Sequence, residues 1–303
     1  MRFRIEILPV LLLAIFVVGC VAGNPAKKLE QPEKETVQLQ RDTKKPGIGT
    51  GLGKNSSINL PWEKDPAFVK AQKEAGTPVL MASYQATLPD PILDERHNIS
   101  QAADYLRGAI VKPENVFSLN ARIGWRSAQR GFKPGPMYSG GHIVSTVGGG
   151  VCKIASVIYN VAILANQEII ERHPHSMTVP YVPPGQDATI SYGTKDFKFR
   201  NNTNGPILIW AKNTGDTLYM AFYGVAKPPR VSWVNKTLSQ SETWTEYVND
   251  ASLPKDAEKV VHEGSKGITV HSWIVIEENG KKVKKDMGIS SYDPSPRIIA
   301  RGR

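Results

Sequence analysis

One strongly apolar helix is the feature that most restricts how this chain can fold. Apolar side chains recur at helical spacing in residues 154–167, at Ile154, Val157, Ile158, Val161 and Leu164. Six short strand-like segments follow: Ile169–Arg172, Thr178–Tyr181, Ala188–Tyr192, Phe197–Arg200, Ile207–Ala211 and Leu218–Tyr223. Because short connections favour antiparallel pairing, we expect an α+β fold in which this central helix, starting at Cys152, packs on a mostly antiparallel sheet.

The flanking regions add further elements. We predict a helix at 66–75, a strand at 79–87 and a helix at 98–108, followed by a Gly- and Pro-rich loop. Near the C-terminus, Asn279-Gly280 between two strand-like runs predicts a hairpin, because this dipeptide suits a tight turn with positive φ. We therefore expect a main domain at 62–225, a linker at 226–255 with one short helix near Thr243, and a small all-β module at 256–303.

The N-terminus carries an export signal. Arg2 and Arg4 precede an apolar run from Ile7 to Val18, which is too short to span a bilayer comfortably. The run ends at Gly19-Cys20, which resembles a bacterial lipobox. We predict a signal peptide at 1–20, a lipid on Cys20 and a polar tether at 21–61. The protein is then an exported, membrane-anchored lipoprotein facing the extracytoplasmic side; an uncleaved anchor or an ordinary signal is the alternative.

The charge of the chain points to anionic partners. The formal net charge is +10, which favours contact with lipid head groups and wall polymers such as peptidoglycan. The basic residues are scattered, and the sequence has no helix-turn-helix, zinc-finger or RNA-binding aromatic motif. We therefore expect no nucleic acid partner, and no cofactor.

Cys152 is the leading candidate for a reactive group. The chain has two cysteines, so a lipid on Cys20 leaves Cys152 without an intrachain partner. The residues Gly148-Gly149-Gly150 place Cys152 in the first helical turn, where unpaired N–H groups and the helix dipole stabilise a thiolate or an oxyanion. Lys153 adds positive charge. The alternative is a small buried hydrophobic residue.

A base and an orienting acid follow in the sequence. His173 and His175 flank Pro174, and Asp187 precedes the next predicted strand. The order Cys, His, Asp suits a nucleophile, a general base and its orienting acid, and is compatible with papain-like and transglutaminase-like folds. The histidines could instead be structural donors, or ligate a metal with Cys152 or Asp187.

A binding groove is a further hypothesis for the same region. Its candidate ligand-binding residues are Gly149, Gly150, Lys153, Arg172 and Tyr181. The aromatic residues Trp125 and Tyr138 would extend it.

Several sequence blocks in order resemble the VanW domain over about residues 79–225. They are Arg96-His97-Asn98-Ile99, Asn115-Val116-Phe117-Ser118-Leu119-Asn120, Gly131-Phe132-Lys133, Gly148-Gly149-Gly150-Val151-Cys152, Ser156-Val157-Ile158-Tyr159-Asn160, Glu171-Arg172-His173-Pro174-His175-Ser176, Tyr181-Val182-Pro183-Pro184-Gly185-Gln186-Asp187-Ala188-Thr189 and Asp196-Phe197-Lys198-Phe199-Arg200-Asn201-Asn202. The C-terminal tail resembles the small β extension, akin to glycine-punctuated wall-binding modules, that often follows this domain. The family's Gln after the cysteine is replaced here by Lys153.

The resemblance implies a location more than a reaction. The family is named for its presence in vancomycin-resistance gene clusters, and it points to the cell envelope and peptidoglycan. Two hypotheses follow. One is a Cys-His-Asp thiol hydrolase or transpeptidase acting on peptidoglycan peptides; the other is a non-catalytic module that binds peptidoglycan or a partner protein. A scaffold joining membrane to wall is a third.

Overall fold

The computed structural model describes residues 59–88, 91–139 and 142–302, with only the backbone given for 138, 139, 142 and 143. The predicted signal peptide 1–20, the lipidation site Cys20 and nearly all of the tether 21–61 lie outside the described residues. Within the described residues, no helix is both long and apolar enough to cross a membrane.

The described residues form a mixed α+β structure. The helices are α1 (Pro66–Ala75), α2 (Leu93–Leu106), α3 (Leu119–Ile123) and α4 (Cys152–Leu164), with a 3-10 turn at Ala128–Arg130. The strands are β1 (Val79–Thr87), β2 (Ala109–Val111), β3 (Val116–Ser118), β4 (Pro134–Ser139), β5 (His142–Val147), β6 (Glu168–Glu171), β7 (Lys198–Arg200), β8 (Ile207–Thr214), β9 (Thr217–Gly224), β10 (Arg230–Ser241), β11 (Thr245–Asn249), β12 (Glu258–His262), β13 (Gly267–Glu278), β14 (Lys281–Tyr292) and β15 (Arg297–Arg301).

Helix α4 is the centre of the fold. Every residue from Lys153 to Ile163 is buried, and the helix packs on β1 and β9 of an antiparallel sheet with strand order β1-β9-β8-β2. A helix that is apolar on all sides has to be enclosed by other elements. The predicted central helix starting at Cys152 is confirmed, and it ends at Leu164, before the Gln167 to which the apolar pattern was followed.

The opposite face of this sheet is covered by α1. Alternate residues of a strand point to opposite faces, so Ile209 and Phe222 join the core around α4 while Trp210 and Tyr223 pack on Phe68 of α1. Helix α1 agrees with the prediction, and its ends are defined by an Asp65 side-chain cap and Gly76 with φ 64°.

Residues 172–197 form a loop, named here the 172–197 loop, where we predicted strands at Thr178–Tyr181 and Ala188–Tyr192. Both strand predictions were wrong, and for the second the reason is that side chains of α4 bond to the backbone at Gln186 and Ala188. Ser156 Oγ both donates to the carbonyl of Ala188 and accepts from its N–H, each at 3.0 Å. Asn160 Nδ2 donates to the Gln186 carbonyl at 2.7 Å.

The C-terminal residues 230–302, named here the C-terminal module, contain two small sheets. One is antiparallel with order β10-β13-β14, and the other has order β11-β15-β12 with β11 and β15 parallel. The predicted hairpin is confirmed between β13 and β14, with φ of 50° at Asn279 and 75° at Gly280. The predicted helix near Thr243 is wrong: most of the expected linker 226–255 lies in β10 and β11, since β10 pairs along its length with β13.

The C-terminal module shares a core with the rest of the chain. Val231 and Ile274 belong to the same buried cluster as the residues of α4. The ring of Trp233 lies 5.7 Å from that of Tyr159, edge to face. These contacts hold β10 and β13 against the end of α4.

Candidate active site

A glycine turn positions the thiol of Cys152. Gly148 and Gly150 have φ of 80° and 93°, which glycine adopts without the penalty that other residues incur. A Cβ on Gly149 would lie 2.1 Å from the carbonyl oxygen of Gly135. Asn98 fixes the turn by donating to the Gly149 carbonyl at 2.9 Å. Gly149, predicted to bind ligand, thus packs closely against the β4 backbone.

The thiol faces the 172–197 loop. Cys152 is a free cysteine and partly exposed. Its Sγ lies 3.2 Å from Thr189 Oγ1 and 3.6 Å from the carbonyl oxygen of Ile190. The sulfur is therefore held among polar atoms, which differs from the apolar surroundings of a purely structural cysteine.

His175 links this thiol to a buried carboxylate. Its Nδ1 lies 2.6 Å from Asp187 Oδ2, and its backbone N–H donates to the same oxygen at 2.7 Å. His175 is also coupled electrostatically to the Cys152 thiol, because each of the two groups shifts the pKa of the other. With Nδ1 directed to Asp187, Nε2 is the ring nitrogen left for the thiol. The three residues have the connectivity of a nucleophile, a base and an orienting acid.

The electrostatics of the pair favour a charged form. Burial raises the pKa of Cys152, but the hydrogen bond and charge of His175 and bonds from Thr189 and Ile190 lower it to about 7. Burial lowers the pKa of His175, but the hydrogen bonds to Asp187 and Cys152 raise it to about 9. Between these two values the thiolate and the imidazolium coexist, which is the reactive form of a cysteine nucleophile.

Asp187 bonds to residues of both the main domain and the C-terminal module. Its side chain is 1% exposed, and Arg172 donates to Oδ1 at 2.9 Å and to the backbone carbonyl of Asp187 at 2.7 Å. Tyr292 of β14 donates its O–H to the same Oδ1. Burial raises the pKa of Asp187, but His175 and then Arg172 lower it below its ordinary value. Asp187 is therefore an ionised carboxylate in which both oxygens accept hydrogen bonds.

The C-terminal module also holds the neighbours of Asp187. Arg172 Nη1 donates to Ser290 Oγ at 2.8 Å, and the Gly185 N–H donates to the Tyr292 hydroxyl at 2.6 Å. Asp293 N–H donates to the Ser176 carbonyl at 2.6 Å. Arg172, predicted to bind ligand, instead connects Asp187 to β14.

The structure separates the two predicted histidines. His173 Nε2 lies 2.9 Å from Glu171 Oε1, and its side chain is 37% exposed. Glu171 also pairs with Lys198 at 2.8 Å. The backbone carbonyl of His173 accepts a hydrogen bond from the Thr189 N–H at 2.8 Å, and the side chain of Thr189 contacts the thiol. Of the two candidate bases, the geometry therefore selects His175.

Other predicted ligand-binding residues line the same region. Lys153 is buried and donates to Glu95 at 2.6 Å, and a Cβ on Gly150 would lie 2.6 Å from Cγ of Glu95. Lys153 Nζ also lies 5.4 Å from the ring centre of Tyr181, and that ring lies edge-on to His175. Tyr181 therefore packs against His175, and Lys153, the neighbour of Cys152 in sequence, packs against Tyr181. Among the described residues, no group of three or more His, Cys, Asp or Glu could hold a metal ion.

Several residues that build the site were absent from the sequence prediction. Ser156 and Asn160 follow Cys152 at intervals of four, a polar stripe on a mostly apolar helix that could have marked the side facing the 172–197 loop. Thr189 lies two residues after Asp187, in a segment that was predicted as a strand. Tyr292 carried no such signal, because it contacts the site from a distant part of the sequence.

Comparison with known proteins confirms the family resemblance. A family model described as VanW like protein matches residues 94–223, and a second, described as G5 domain, matches residues 236–303. Cys152, His175 and Asp187 lie in the first match, and Ser290 and Tyr292 lie in the second. The chain thus carries a VanW-family domain followed by a G5 domain.

Two curated proteins are similar to the first region. The uncharacterized protein YoaR of Bacillus subtilis (strain 168) is 41% identical over 127 residues, 42% of this chain and 42% of that protein. The vancomycin B-type resistance protein VanW of Enterococcus faecalis (strain ATCC 700802 / V583) is 30% identical over 118 residues, 37% of this chain and 43% of that protein. This chain therefore spans about two fifths of the length of each relative.

One solved structure, the IgA1 protease G5 domain, is 23% identical, covers 25% of this chain and 92% of that chain, and has a TM-score of 0.17.

Proposed function

We propose that this chain, with its VanW-family domain followed by a G5 domain, is a thiol-dependent acyl-transfer enzyme that acts on peptidoglycan peptides in the bacterial cell envelope. The observation that carries the proposal is the electrostatic coupling of the Cys152 thiol to His175, whose ring bonds to the buried carboxylate of Asp187. A histidine beside a cysteine of lowered pKa, oriented by an acid, is the arrangement that activates a thiol for attack on a carbonyl.

The proposed reaction proceeds through a thioester. The Cys152 thiolate attacks an amide carbonyl, and the His175 imidazolium gives its proton to the departing amine as the C–N bond breaks. Water or a second amine then attacks the thioester, His175 takes a proton from it, and the thiolate is released. Water gives hydrolysis and an amine gives peptide exchange, so one site serves a hydrolase or a transpeptidase.

The start of α4 offers a site for the oxyanion of this reaction. Lys153 and Ile154 donate their N–H groups to Gly150 and Val151, and no side chain caps the helix. Among the described backbone hydrogen bonds, none uses the N–H of Cys152. We assign this N–H to the developing oxyanion, since a free donor at a helix start stabilises negative charge.

The envelope location rests on three features of the chain. The N-terminal signal with Cys20 supports export and a lipid anchor, the net charge of +10 supports contact with anionic polymers, and the printed name of the Enterococcus relative links that protein to vancomycin resistance. Labelled palmitate supplied to cells should enter the wild-type protein and fail to enter a Cys20→Ala variant.

A second candidate function is binding without turnover. It is favoured by the match of residues 236–303 to the G5 domain, and by the exposed aromatic side chains of Trp244 and Tyr247 in that module. In this case the module holds peptidoglycan or a partner protein and the VanW-family domain adds contact surface.

Intact-protein mass spectrometry separates the two functions. The chain lacking residues 1–20 is incubated with purified peptidoglycan stem peptides, beside a Cys152→Ala variant. The enzyme account expects a covalent adduct on Cys152 that hydroxylamine removes, together with hydrolysed or exchanged peptides, and neither in the variant. Equal retention of both proteins on intact peptidoglycan, with no adduct and no altered peptide, would establish the binding module instead.

A further inference from the structure

Arg126 lies directly beside the nucleophile and has no role in the contacts among Cys152, His175 and Asp187. A Cβ on Gly148 would lie 2.6 Å from Cβ and 2.9 Å from Cγ of Arg126, so this side chain packs on the glycine turn that leads to Cys152. On its other side the guanidinium lies 5.9 Å from the ring centre of Tyr192. Tyr192 follows Thr189 and Ile190, which contact the sulfur. Arg126 thus lies between the glycine turn that leads to Cys152 and the segment that contacts its thiol.

The positive charge of Arg126 is incompletely balanced. Its Nη1 donates to the amide oxygen of Asn120 at 2.7 Å and to the Gly124 carbonyl at 3.3 Å, both of which are neutral. No ion pair in the described part of the chain includes Arg126. Burial lowers its pKa, while the charges of Cys152 and then Asp196 raise it. A partly buried guanidinium that forms no ion pair with a carboxylate is available to bind an incoming anion.

An exposed aromatic pair borders this cation. The side chains of Trp125 and Tyr192 are 55% and 45% exposed, and their rings meet edge to face with centres 5.3 Å apart. Two large rings kept at the surface next to a charged group are typical of a ligand site rather than of a solvated loop.

We propose that Arg126, together with Trp125 and Tyr192, forms a subsite beside Cys152 that binds the carboxylate of a peptide substrate. The guanidinium forms a bidentate pair with the carboxylate, and the two rings cover the apolar part of the same residue. The subsite rests on the proposed function for the bond that is broken, but anion binding itself does not depend on turnover. The carboxylate is either the free C-terminus of a peptide or an acidic side chain.

Two alkylating agents of nearly equal size test the charge of the subsite. Iodoacetate carries a carboxylate where iodoacetamide carries a neutral amide, so the ratio of their rates at Cys152 reports attraction of an anion and cancels changes in thiolate content. We expect Arg126→Gln to lower the iodoacetate-to-iodoacetamide ratio at least fivefold, and Arg126→Lys to lower it less, since lysine retains the charge but loses the planar fork. The matched control is Arg122→Gln, which removes an exposed arginine of α3.

A binding measurement keeps the test independent of thiol reactivity. Calorimetry on the Cys152→Ala variant compares acetyl-Ala-Ala, its C-terminal amide, and acetyl-Ala-Glu-amide. We expect one of the two carboxylate-bearing peptides to bind at least tenfold more tightly than the neutral peptide, which identifies the source of the anion, and Arg126→Gln to abolish the difference while Arg122→Gln preserves it. An unreactive thiol with intact peptide discrimination would refute the enzyme and retain the subsite. An unchanged alkylation ratio in Arg126→Gln, or equal binding of all three peptides, would overturn the subsite.

Discussion

The VanW-family domain and the C-terminal module differ in how deeply their main elements are buried. Helix α4 is buried along nearly its whole length, whereas β14 is exposed or partly exposed at every position except Ser290 and Tyr292. Those two residues contact Arg172 and Asp187. The comparison shows that the first region places Cys152 at the start of a buried helix, while the second uses the buried end of a surface strand to contact Asp187.

The largest effect is expected at Asp187, where the two regions meet. An Asp187→Ala change leaves the guanidinium of Arg172 without its carboxylate and the ring of His175 without its acceptor. Removing one partner of a buried ion pair costs about 3–5 kcal/mol. Urea unfolding should show a loss of this order, and Asp286→Ala, which removes an exposed aspartate of β14, should be close to wild type. Equal stability of the two variants would mean that Asp187 does not join the two regions.

A Tyr292→Phe change tests the contribution of the C-terminal module alone. It removes the O–H donor to Asp187 and the acceptor of the Gly185 N–H, while the ring and its packing remain. Leaving a buried polar group unsatisfied costs about 1–3 kcal/mol, and we expect alkylation of Cys152 at neutral pH to slow several-fold. The exposed Tyr247→Phe is the matched control. Alkylation rates identical in both variants would show that the module does not influence the site.

The smallest expected effect is a change in how stability depends on pH. The lowered pKa of Cys152, about 7, stabilises the fold at high pH, and this contribution is lost as pH falls through that value. The raised pKa of His175, about 9, stabilises the fold at low pH, and this contribution is lost as pH rises through that value. The two trends oppose each other, so the pair adds little slope in the wild type.

A Cys152→Ala variant should expose the histidine trend. Asp187 still raises the pKa of His175, so the free energy of unfolding should fall as pH rises above about 6.5. Urea titrations from about pH 6 to about pH 9 measure the slope relative to wild type. Leu238→Ala, which removes an exposed side chain without a titrating group from the C-terminal module, should leave the slope unchanged. Parallel profiles for wild type and Cys152→Ala would rule out the coupled pair.

The sequence predicted the elements whose signals are local. Helix α4 was evident from its apolar periodicity, and the β13–β14 hairpin from Asn279-Gly280, because both signals lie within a few residues. The 172–197 loop was mistaken for strands, since its backbone at Gln186 and Ala188 bonds to side chains of α4. Single-sequence patterns carry no information about such tertiary partners.

The site was predicted in part for the same reason. Cys152 and Asp187 were named from their types and order, but His173 and His175 could not be distinguished. Residues on either side of Pro174 face different surroundings, and only the folded loop shows which one meets the thiol. The contact between Tyr292 and Asp187 spans 105 residues of sequence, so it could not be read from local pattern.

The most direct test of the account is the pH dependence of Cys152 alkylation by iodoacetamide in wild type, His175→Ala and His173→Ala. An unperturbed thiol has a pKa of about 8.5. We predict that the alkylation rate has its pH midpoint at about 7 in the wild type. The midpoint should rise toward the ordinary value in His175→Ala and stay close to wild type in His173→Ala. A midpoint that is ordinary in the wild type, or one that both histidine variants shift equally, would contradict the pairing of Cys152 with His175.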